Sequence, residues 1–452
     1  MTVNATASLP MHGKPPIGTL SDSDSEAIYR RITFRLIPFL FLCYLLNIVD
    51  RVNIGFAQLQ MKTSLGLSDA AYGLGATVFF IGYVLFEVPS NLLLKRIGAR
   101  ATIMRIMVLW GLASACMMFV KTPGQFYVGR FLLGVFEAGF FPGIVLYLTF
   151  WYPPHRRTQA MAIFMTAMVA SAFVTNPMSG WILKNMHGVY GLEGWQWMFL
   201  LEGLPTVPVG ILAYFVLPNG PKQARWLSPA EQDWVHHAAA GGNTEAIADH
   251  RVLRDIVFDP RVYLLALGGF TAVTSTYFLA FWLPTIIKEL GVSDVMQIGL
   301  YGMVPAVFAL VAMVLYGRLA DGHSEQRWYY GLVYMVAGPA FLGTALAMAA
   351  GNLILTLVAI SVAASAVYAA FPVFWAMATR YLGLAKAAAG IAFINTLQNL
   401  SGLSPAVVGA IKSHTGSLTP VLYILSGMFV VVGAAVVVGM RNASPGAATA
   451  AH

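Results

Sequence analysis

Long apolar runs follow one another along most of the chain, six before a polar stretch at 218–258 and six after it. The first six lie at 33–54, 71–94, 101–120, 124–150, 158–183 and 196–217, and the others at 260–287, 296–317, 328–350, 353–378, 387–411 and 418–440. A transmembrane helix needs about 20 apolar residues, and a membrane barrel would instead alternate apolar and polar positions. The pattern predicts an all-α membrane protein with twelve transmembrane helices in two six-helix bundles.

The polar segments divide the chain. Residues 1–32, with the run SDSDSE, lack the apolar core of a signal peptide and are expected to form a disordered cytosolic tail. The remaining divisions are an N-terminal bundle at 33–217, a cytosolic connector at 218–258, a C-terminal bundle at 259–441 and a cytosolic tail at 442–452. In the connector, Ser228, Pro229 and Glu231 match a capping box, which predicts a short surface helix.

Composition and charge support this division. The chain is 58% hydrophobic and 10% charged, whereas a soluble domain carries about 25% charged residues. Most Lys and Arg lie on the predicted cytosolic side, and each outer loop carries one lysine: Lys62, Lys121, Lys184, Lys288 and Lys412. The positive-inside rule then places both termini in the cytosol of a bacterial cell, with the protein in its inner membrane. The charges form no clustered basic face, so a nucleic-acid partner is not expected.

Two basic turns repeat at half the chain length. Residues 91–100 read NLLLKRIGAR and residues 317–327 read GRLADGHSEQR, which indicates two parallel six-helix repeats. Arg96, Gly98 and Arg100 in the first turn, with Gly317, Asp321 and Gly322 in the second, resemble the loop signature of the major facilitator superfamily. The strings LNIVDRVNIGFA, FEVPSNLLLKRIGAR, GRFLLGVFEAGFFPG and FWLPTIIKELG resemble its anion:cation symporter family. The sequence departs from the signature at Lys95, which stands where the family has an acidic residue.

The resemblance implies the major facilitator fold and proton-coupled import of a small organic anion by alternating access. A sugar acid, a tartrate-like hydroxy acid and an aromatic carboxylate all remain open as substrates. The resemblance further implies a monomer and gating loops that contain Arg96, Gly98, Arg100, Gly317 and Asp321. No histidine lies in a predicted span and the chain has no phosphate-binding loop, so neither an enzyme, a metal site nor a cofactor is expected.

Ionisable residues inside the spans cost roughly 2.5 to 3.5 kcal/mol each on insertion scales and therefore mark candidate functional positions. Those predicted to lie at bilayer depth, away from the ends of the spans, are all in the N-terminal half: Asp50, Arg51, Glu87, Arg130, Glu137 and Glu202. Arg130 and Glu137 are about two turns apart and share a helix face, and Arg130 is expected to pair with an acidic residue. Because adjacent helical residues diverge by about 100°, one of Asp50 and Arg51 should face span four and the other the central cavity.

Arg51 is assigned to the cavity as the main substrate ligand, since a guanidinium binds two carboxylate oxygens and stays charged. The family resemblance implies the same role for Arg51 and implies that Asp50 and Glu137 carry protons. If the substrate competes with these acids for one arginine, the displaced carboxylate takes up a proton. Anion entry and proton entry are then linked.

The remaining substrate contacts are expected from neutral side chains. Tyr83 in span two, Tyr277 in span seven, Trp375 in span ten, and Asn395 and Asn399 in span eleven are predicted to line the substrate site. The two asparagines are four residues apart and therefore share a helix face.

Several alternatives stay open from the sequence. The charged residues of the spans could instead form a structural network. Asn395 and Asn399 could instead join neighbouring helices, and Trp375 could belong to an interfacial aromatic belt. Glu87 has either a functional or a packing role. At the level of the whole protein, the alternatives are an anion exchanger without proton coupling and a receptor of the same fold that does not transport.

Overall fold

The computed structural model describes residues 22–240, 250–320, 323 and 325–441, and in these ranges the regular secondary structure is helical throughout. The N-terminal half contains α1 (Asp22–Val52), α2 (Ile54–Leu65), α3 (Asp69–Ile97), α4 (Ala99–Cys116), α5 (Pro123–Glu137), α6 (Phe140–Thr149), α7 (Pro154–Asn185), α8 (Gly194–Gly203) and α9 (Thr206–Val216). The connector contains α10 (Pro229–Ala240) and α11 (His250–Val257). The C-terminal half contains α12 (Pro260–Glu289), α13 (Val295–Ala320), α14 (Gln326–Ala349), α15 (Leu353–Gln398), α16 (Ser404–Thr415) and α17 (Thr419–Gly439).

The first span is longer at both ends than its apolar run indicates. The helix already begins at Asp22, so the expectation of a disordered tail up to residue 32 is wrong for 22–32. It continues beyond 54 through α2 to Leu65, with one irregular residue at Asn53. The polar first turns are stabilised by protein contacts, because Ile28, Tyr29 and Ile32 are buried. Residues 1–21 and 442–452 lie outside the described ranges.

In the described part of the chain, eleven helical segments are long and apolar enough to cross a membrane. The predicted eleventh span, 387–411, is not among them, because it is divided between the end of α15, a 3₁₀ turn at Asn399–Leu403 and α16. The predicted gap between spans ten and eleven is only a kink in α15 at Gly383, where φ is +64°. Glycine permits this left-handed conformation without a Cβ clash.

The connector packs against the ends of both bundles. Its α10 begins with the predicted capping box: the Ser228 backbone N–H donates to Glu231 at 2.8 Å, and the Glu231 N–H donates to the Ser228 hydroxyl at 3.3 Å. Glu231 also pairs with Arg31 of α1. On the other bundle, Lys386 pairs with Asp255 at 2.9 Å. We call this side of the molecule the connector end, and the opposite side, which carries the α2–α3 turn, the far end.

The two bundles approach most closely where α3 meets α16 and α7 meets α13. A Cβ atom placed on Gly73 would lie 2.2 Å from the Pro405 carbonyl oxygen, and one on Gly180 would lie 2.8 Å from the Val295 carbonyl oxygen. Such distances are possible only without a side chain, so glycine lets the helix backbones touch. These contacts lie toward the far end.

We predict that Gly73→Leu separates α3 from α16, because backbone atoms cannot move aside as a flexible side chain does. Thr77 is buried one turn further along α3, where its hydroxyl accepts a hydrogen bond from the Ala406 N–H at 3.0 Å. A cysteine at position 77, with the exposed Cys116 replaced by serine, should react with a maleimide several-fold faster in the Gly73→Leu protein. Gly124→Leu is the control, since no atom lies within 4 Å of that position. Equal labelling rates would show that the helices already separate freely.

Candidate functional site

A small polar cavity of about 120 Å³ lies between the two bundles. It is lined by Tyr44, Arg51, Phe80, Tyr83, Val84, Glu87, Phe141, Tyr277, Asn395 and Asn399. The fold therefore brings together five residues that the sequence singled out as substrate contacts, three from the C-terminal half and two from the N-terminal half. The sixth, Trp375, is not among the lining residues; its ring packs edge-on against Phe374, with centroids 4.9 Å apart.

Arg51 is the one cationic side chain of this lining set, and it is engaged by Glu137 of α5. The Arg51 Nε donates to Glu137 Oε1 at 2.9 Å, and its Nη2 contacts the same oxygen. Glu137 is fully buried and its second oxygen, Oε2, has no hydrogen-bond partner. The arrangement is a one-oxygen ion pair at the cavity wall, which leaves part of the guanidinium for another acceptor.

Aromatic rings hold the Arg51 guanidinium in position. Its carbon lies 5.3 Å from the Tyr83 ring centroid and 5.4 Å from the Phe79 centroid, within cation–π range. The ring centroids of Phe80 and Tyr277 lie 4.7 Å apart. This contact joins the two bundles on the far-end side of the cavity. The sequence analysis did not single out Phe80 or Phe141, because single aromatic residues in a span give no sign of which face they occupy.

Asp50 faces neither the cavity nor span four. The prediction that one residue of the pair Asp50 and Arg51 faces span four while the other faces the cavity is therefore wrong for Asp50. Its carboxylate accepts hydrogen bonds from Trp110 Nε1 at 2.7 Å, from the Ser114 hydroxyl at 2.7 Å and from the Thr206 hydroxyl at 3.2 Å. These donors lie on α4 and α9. The other residue of the pair, Arg51, meets both predicted neighbours, since it lines the cavity and also contacts span four.

Arg130 does not form the predicted ion pair in this conformation. It is fully buried, and none of its three guanidinium nitrogens has a hydrogen-bond partner. Its guanidinium carbon lies 4.8 Å from the centroid of Phe79, the ring that Arg51 also contacts. A buried cation without a hydrogen-bonded partner is costly. The site therefore contains one guanidinium group that is paired with Glu137 and a second one, of Arg130, that has no hydrogen-bonded partner.

Ion pairs close the far end above this cavity. Lys412 of α16 contacts Glu289 at 2.5 Å and Asp69 of α3 at 3.6 Å, and Asp69 also pairs with Lys62. Lys184 of α7 pairs with Asp294 next to α13 at 2.6 Å. Among the described residues, the hydrogen bonds and ion pairs that join the bundles directly lie in the middle or at this end. The cavity is therefore closed toward the far end.

The predicted gating turn between α3 and α4 is a tight corner at the connector end. Gly98 has a φ of +86°, and a Cβ there would lie 2.5 Å from the Asn219 side-chain oxygen. The Arg100 N–H donates to this oxygen at 3.1 Å, and the Arg100 guanidinium lies over the Tyr214 ring at 4.7 Å, whereas Arg96 is exposed. In the second turn, Gly317 lies near Pro372, and Asp321 falls outside the described residues. The first turn is therefore packed tightly against the residues that follow α9.

A larger groove of about 810 Å³ lies between α13, α14 and α15. Its lining is almost entirely apolar and includes Phe308, Leu315, Leu319, Leu332 and Ile354, all of them exposed on the bundle surface. A surface of this kind suits lipid chains in a membrane, and its lining residues include no cationic side chain that would bind an anion. The smaller, polar cavity is therefore the candidate functional site.

Similarity to known proteins agrees with the fold. The Major Facilitator Superfamily profile matches residues 40–406. The chain is 44% identical to a protein of Agrobacterium vitis named provisionally as a tartrate transporter, over 93% of this chain and 97% of that one. It is 42% identical to NicT of Pseudomonas putida, named provisionally as a metabolite transport protein, over 90% and 93% of the two chains.

A solved structure also shares the fold. The crystal structure of a D-xylose-proton symporter superposes with a TM-score of 0.71 at 16% identity and covers 89% of this chain and 97% of that one. At this identity the likeness shows the fold alone. The profile match and the two relatives extend over nearly the whole chain and identify a multi-pass inner-membrane protein that carries a small molecule across the bilayer and is not an enzyme. The chain belongs to the Major Facilitator Superfamily of transporters.

Proposed function

We propose that this protein imports a small organic anion together with protons. The observation that carries the proposal is the shared guanidinium: Arg51 lines the cavity between the bundles and at the same time pairs with the buried Glu137. An incoming carboxylate that binds Arg51 competes with Glu137 for it. Once Glu137 is displaced from Arg51, it is a buried carboxylate without a cation, which costs free energy. Binding a proton removes that cost.

The cavity favours a small substrate. Its volume of about 120 Å³ lies below the roughly 300 to 1,000 Å³ of sites for drug-sized ligands. Asn395, Asn399 and the Tyr277 hydroxyl offer hydrogen bonds to the part of the substrate that is not its carboxylate. This supports a hydroxylated acid such as a tartrate-like or sugar acid, and the name of the Agrobacterium vitis relative points the same way. An aromatic carboxylate is the second candidate, because Tyr44, Phe80 and Phe141 line the same cavity.

Proteoliposomes test the function directly. We expect purified protein to exchange a labelled hydroxy acid against the unlabelled acid, and to accumulate it when the outside is made acidic. Tartrate, a sugar acid and benzoate are compared, with xylose as the uncharged control. Exchange without any response to the pH gradient would support the exchanger alternative, and absence of exchange with each of the acids would support the receptor alternative.

We propose twelve spans with both termini and the connector in the cytosol, and a single chain as the transporting unit. The contact of Arg31 with Glu231 joins the first span to the connector, and the two bundles of the chain together line the cavity. With Cys116 replaced by serine, a cysteine at the exposed Ser64 should react with an impermeant maleimide in intact cells. One at the exposed Asp233 should react only after permeabilisation. The reverse pattern would invert the topology.

A further inference from the structure

Behind the substrate cavity, α1 presents a second polar face to α4, α7, α8 and α9. Asn47, Asp50 and Asn53 follow one another at intervals of three residues and therefore share this face. Across from them lie Ser179, Glu202 and Thr206. All six side chains are at most 2% exposed, and we call them the α1 polar cluster. The proposed function uses none of them, and the family resemblance implies a proton-carrying role for Asp50 alone.

The two carboxyl groups of the cluster have different surroundings. Asp50 accepts hydrogen bonds from three neutral donors, Trp110, Ser114 and Thr206. Glu202 accepts one, from the Ser179 hydroxyl at 2.6 Å, and its Oε2 has no hydrogen-bond partner although it is buried. Three donors stabilise a negative charge on Asp50 in place of water. With one donor, Glu202 lacks that compensation.

The space beside Glu202 contains an amide that is also unpaired. The Asn53 side chain lies next to Glu202, yet neither its nitrogen nor its oxygen reaches hydrogen-bond geometry in this conformation. The described ion pairs include neither Asp50 nor Glu202, and the ionisable group that faces Glu202 from α1 is Asp50. Asp50 and Glu202 are both buried, and neither has an ion-pair partner among the described residues, so charging both of them is costly.

We propose that Glu202 is a second proton-binding carboxyl group of this transporter, beside Asp50. A proton from the medium bonds to the Glu202 carboxylate and forms the neutral acid, and release of that proton restores the carboxylate, with no other bond made or broken. Asn53 lies one turn beyond Asp50 toward the far end, and Thr206 follows Glu202 toward the connector end. Glu202 is thus the outer group of the pair. This inference rests on the proposed proton coupling.

Glu202→Gln keeps the shape and the acceptor for Ser179 but cannot bind a proton. Reconstituted protein is compared with the Asp233→Asn control, which removes an exposed carboxylate in the connector. We expect carboxylate counterflow to persist in Glu202→Gln, while accumulation in a gradient of one pH unit falls at least fivefold and the ratio of protons to substrate decreases. If wild type takes up protons with the substrate and Glu202→Gln keeps the same ratio, the inference is overturned while the proposed function stands. If wild type moves substrate without protons, the proposed function fails first.

Carbodiimide labelling of the wild-type protein tests the site without a substitution. Dicyclohexylcarbodiimide modifies protonated carboxyl groups in apolar surroundings, and mass spectrometry locates the adduct. We expect Glu202 to be modified at pH 6, and less at pH 8.5. A wild-type protein whose Glu202 stays unmodified at pH 6, while another buried carboxyl group reacts, would overturn the inference.

Discussion

Replacing Arg51 by glutamine is expected to weaken carboxylate uptake severely. The substitution removes the cation that lines the cavity and leaves the buried Glu137 without a partner. Losing one member of a buried, hydrogen-bonded charge pair costs about 2 to 5 kcal/mol, and each 1.4 kcal/mol changes an affinity about tenfold. We therefore expect the apparent affinity for the substrate to fall by roughly 30-fold or more, measured as uptake against substrate concentration in proteoliposomes.

Arg51→Lys separates charge from geometry in the same assay. A lysine keeps the positive charge but loses the planar fork that binds two carboxylate oxygens at once, so we expect partial uptake with weakened affinity. Arg225→Gln, which removes an exposed cation of the connector, is the control and should transport normally. If Arg51→Gln retains both carboxylate flux and its stimulation by acid, the proposed competition at this guanidinium is wrong.

Replacing Glu137 by glutamine is expected to uncouple transport from the proton gradient. The amide oxygen can still accept a hydrogen bond from Arg51, but the side chain can no longer bind and release a proton. Substrate exchange should persist, whereas accumulation driven by a pH gradient, up to about tenfold per pH unit for one proton, should fall to near equilibrium. Counterflow measures the exchange, and gradient-driven uptake by the same liposomes measures the accumulation.

A charge-neutralising change elsewhere provides the comparison for Glu137. Glu325→Gln alters a carboxylate in an exposed loop at the connector end and should leave gradient-driven accumulation as in the wild type. Full gradient-driven uptake by Glu137→Gln would assign the coupling proton to another group, and the α1 polar cluster would be the next place to look.

The sequence predicted most of the architecture because a bilayer constrains it strongly. Every polar backbone group in a lipid core must be satisfied within the segment, so a long apolar run has to be a helix. The connector helix was predicted down to its first residue, because Ser228, Pro229 and Glu231 have specific capping roles. The ends of the first helix and the kink in α15 were not predicted. Protein contacts, rather than apolarity, stabilise Asp22–Val52 at its start, and α15 continues through Gly383 without a polar gap.

The sequence predicted which residues belong to the candidate site better than it predicted which of them contact each other. Charges inside spans are rare, so Asp50, Arg51, Arg130 and Glu137 were visible from the sequence alone. Which of them meet depends on helix rotation and on the conformation of the two bundles. Arg51 contacts Glu137, Asp50 contacts Trp110 on α4, and Arg130 contacts a ring instead of a carboxylate.

The sequence by itself determined the membrane class, the two halves and the identity of the rare polar residues in the spans, because each of these follows from local apolarity and charge. The tertiary structure alone decided that Arg51 shares the cavity with Tyr277, Asn395 and Asn399, since these residues come from opposite halves of the chain. It also decided that Glu202 lies beside Asn53 behind that cavity. Contacts between distant segments depend on how helices rotate and pack, and no local pattern in the sequence specifies this.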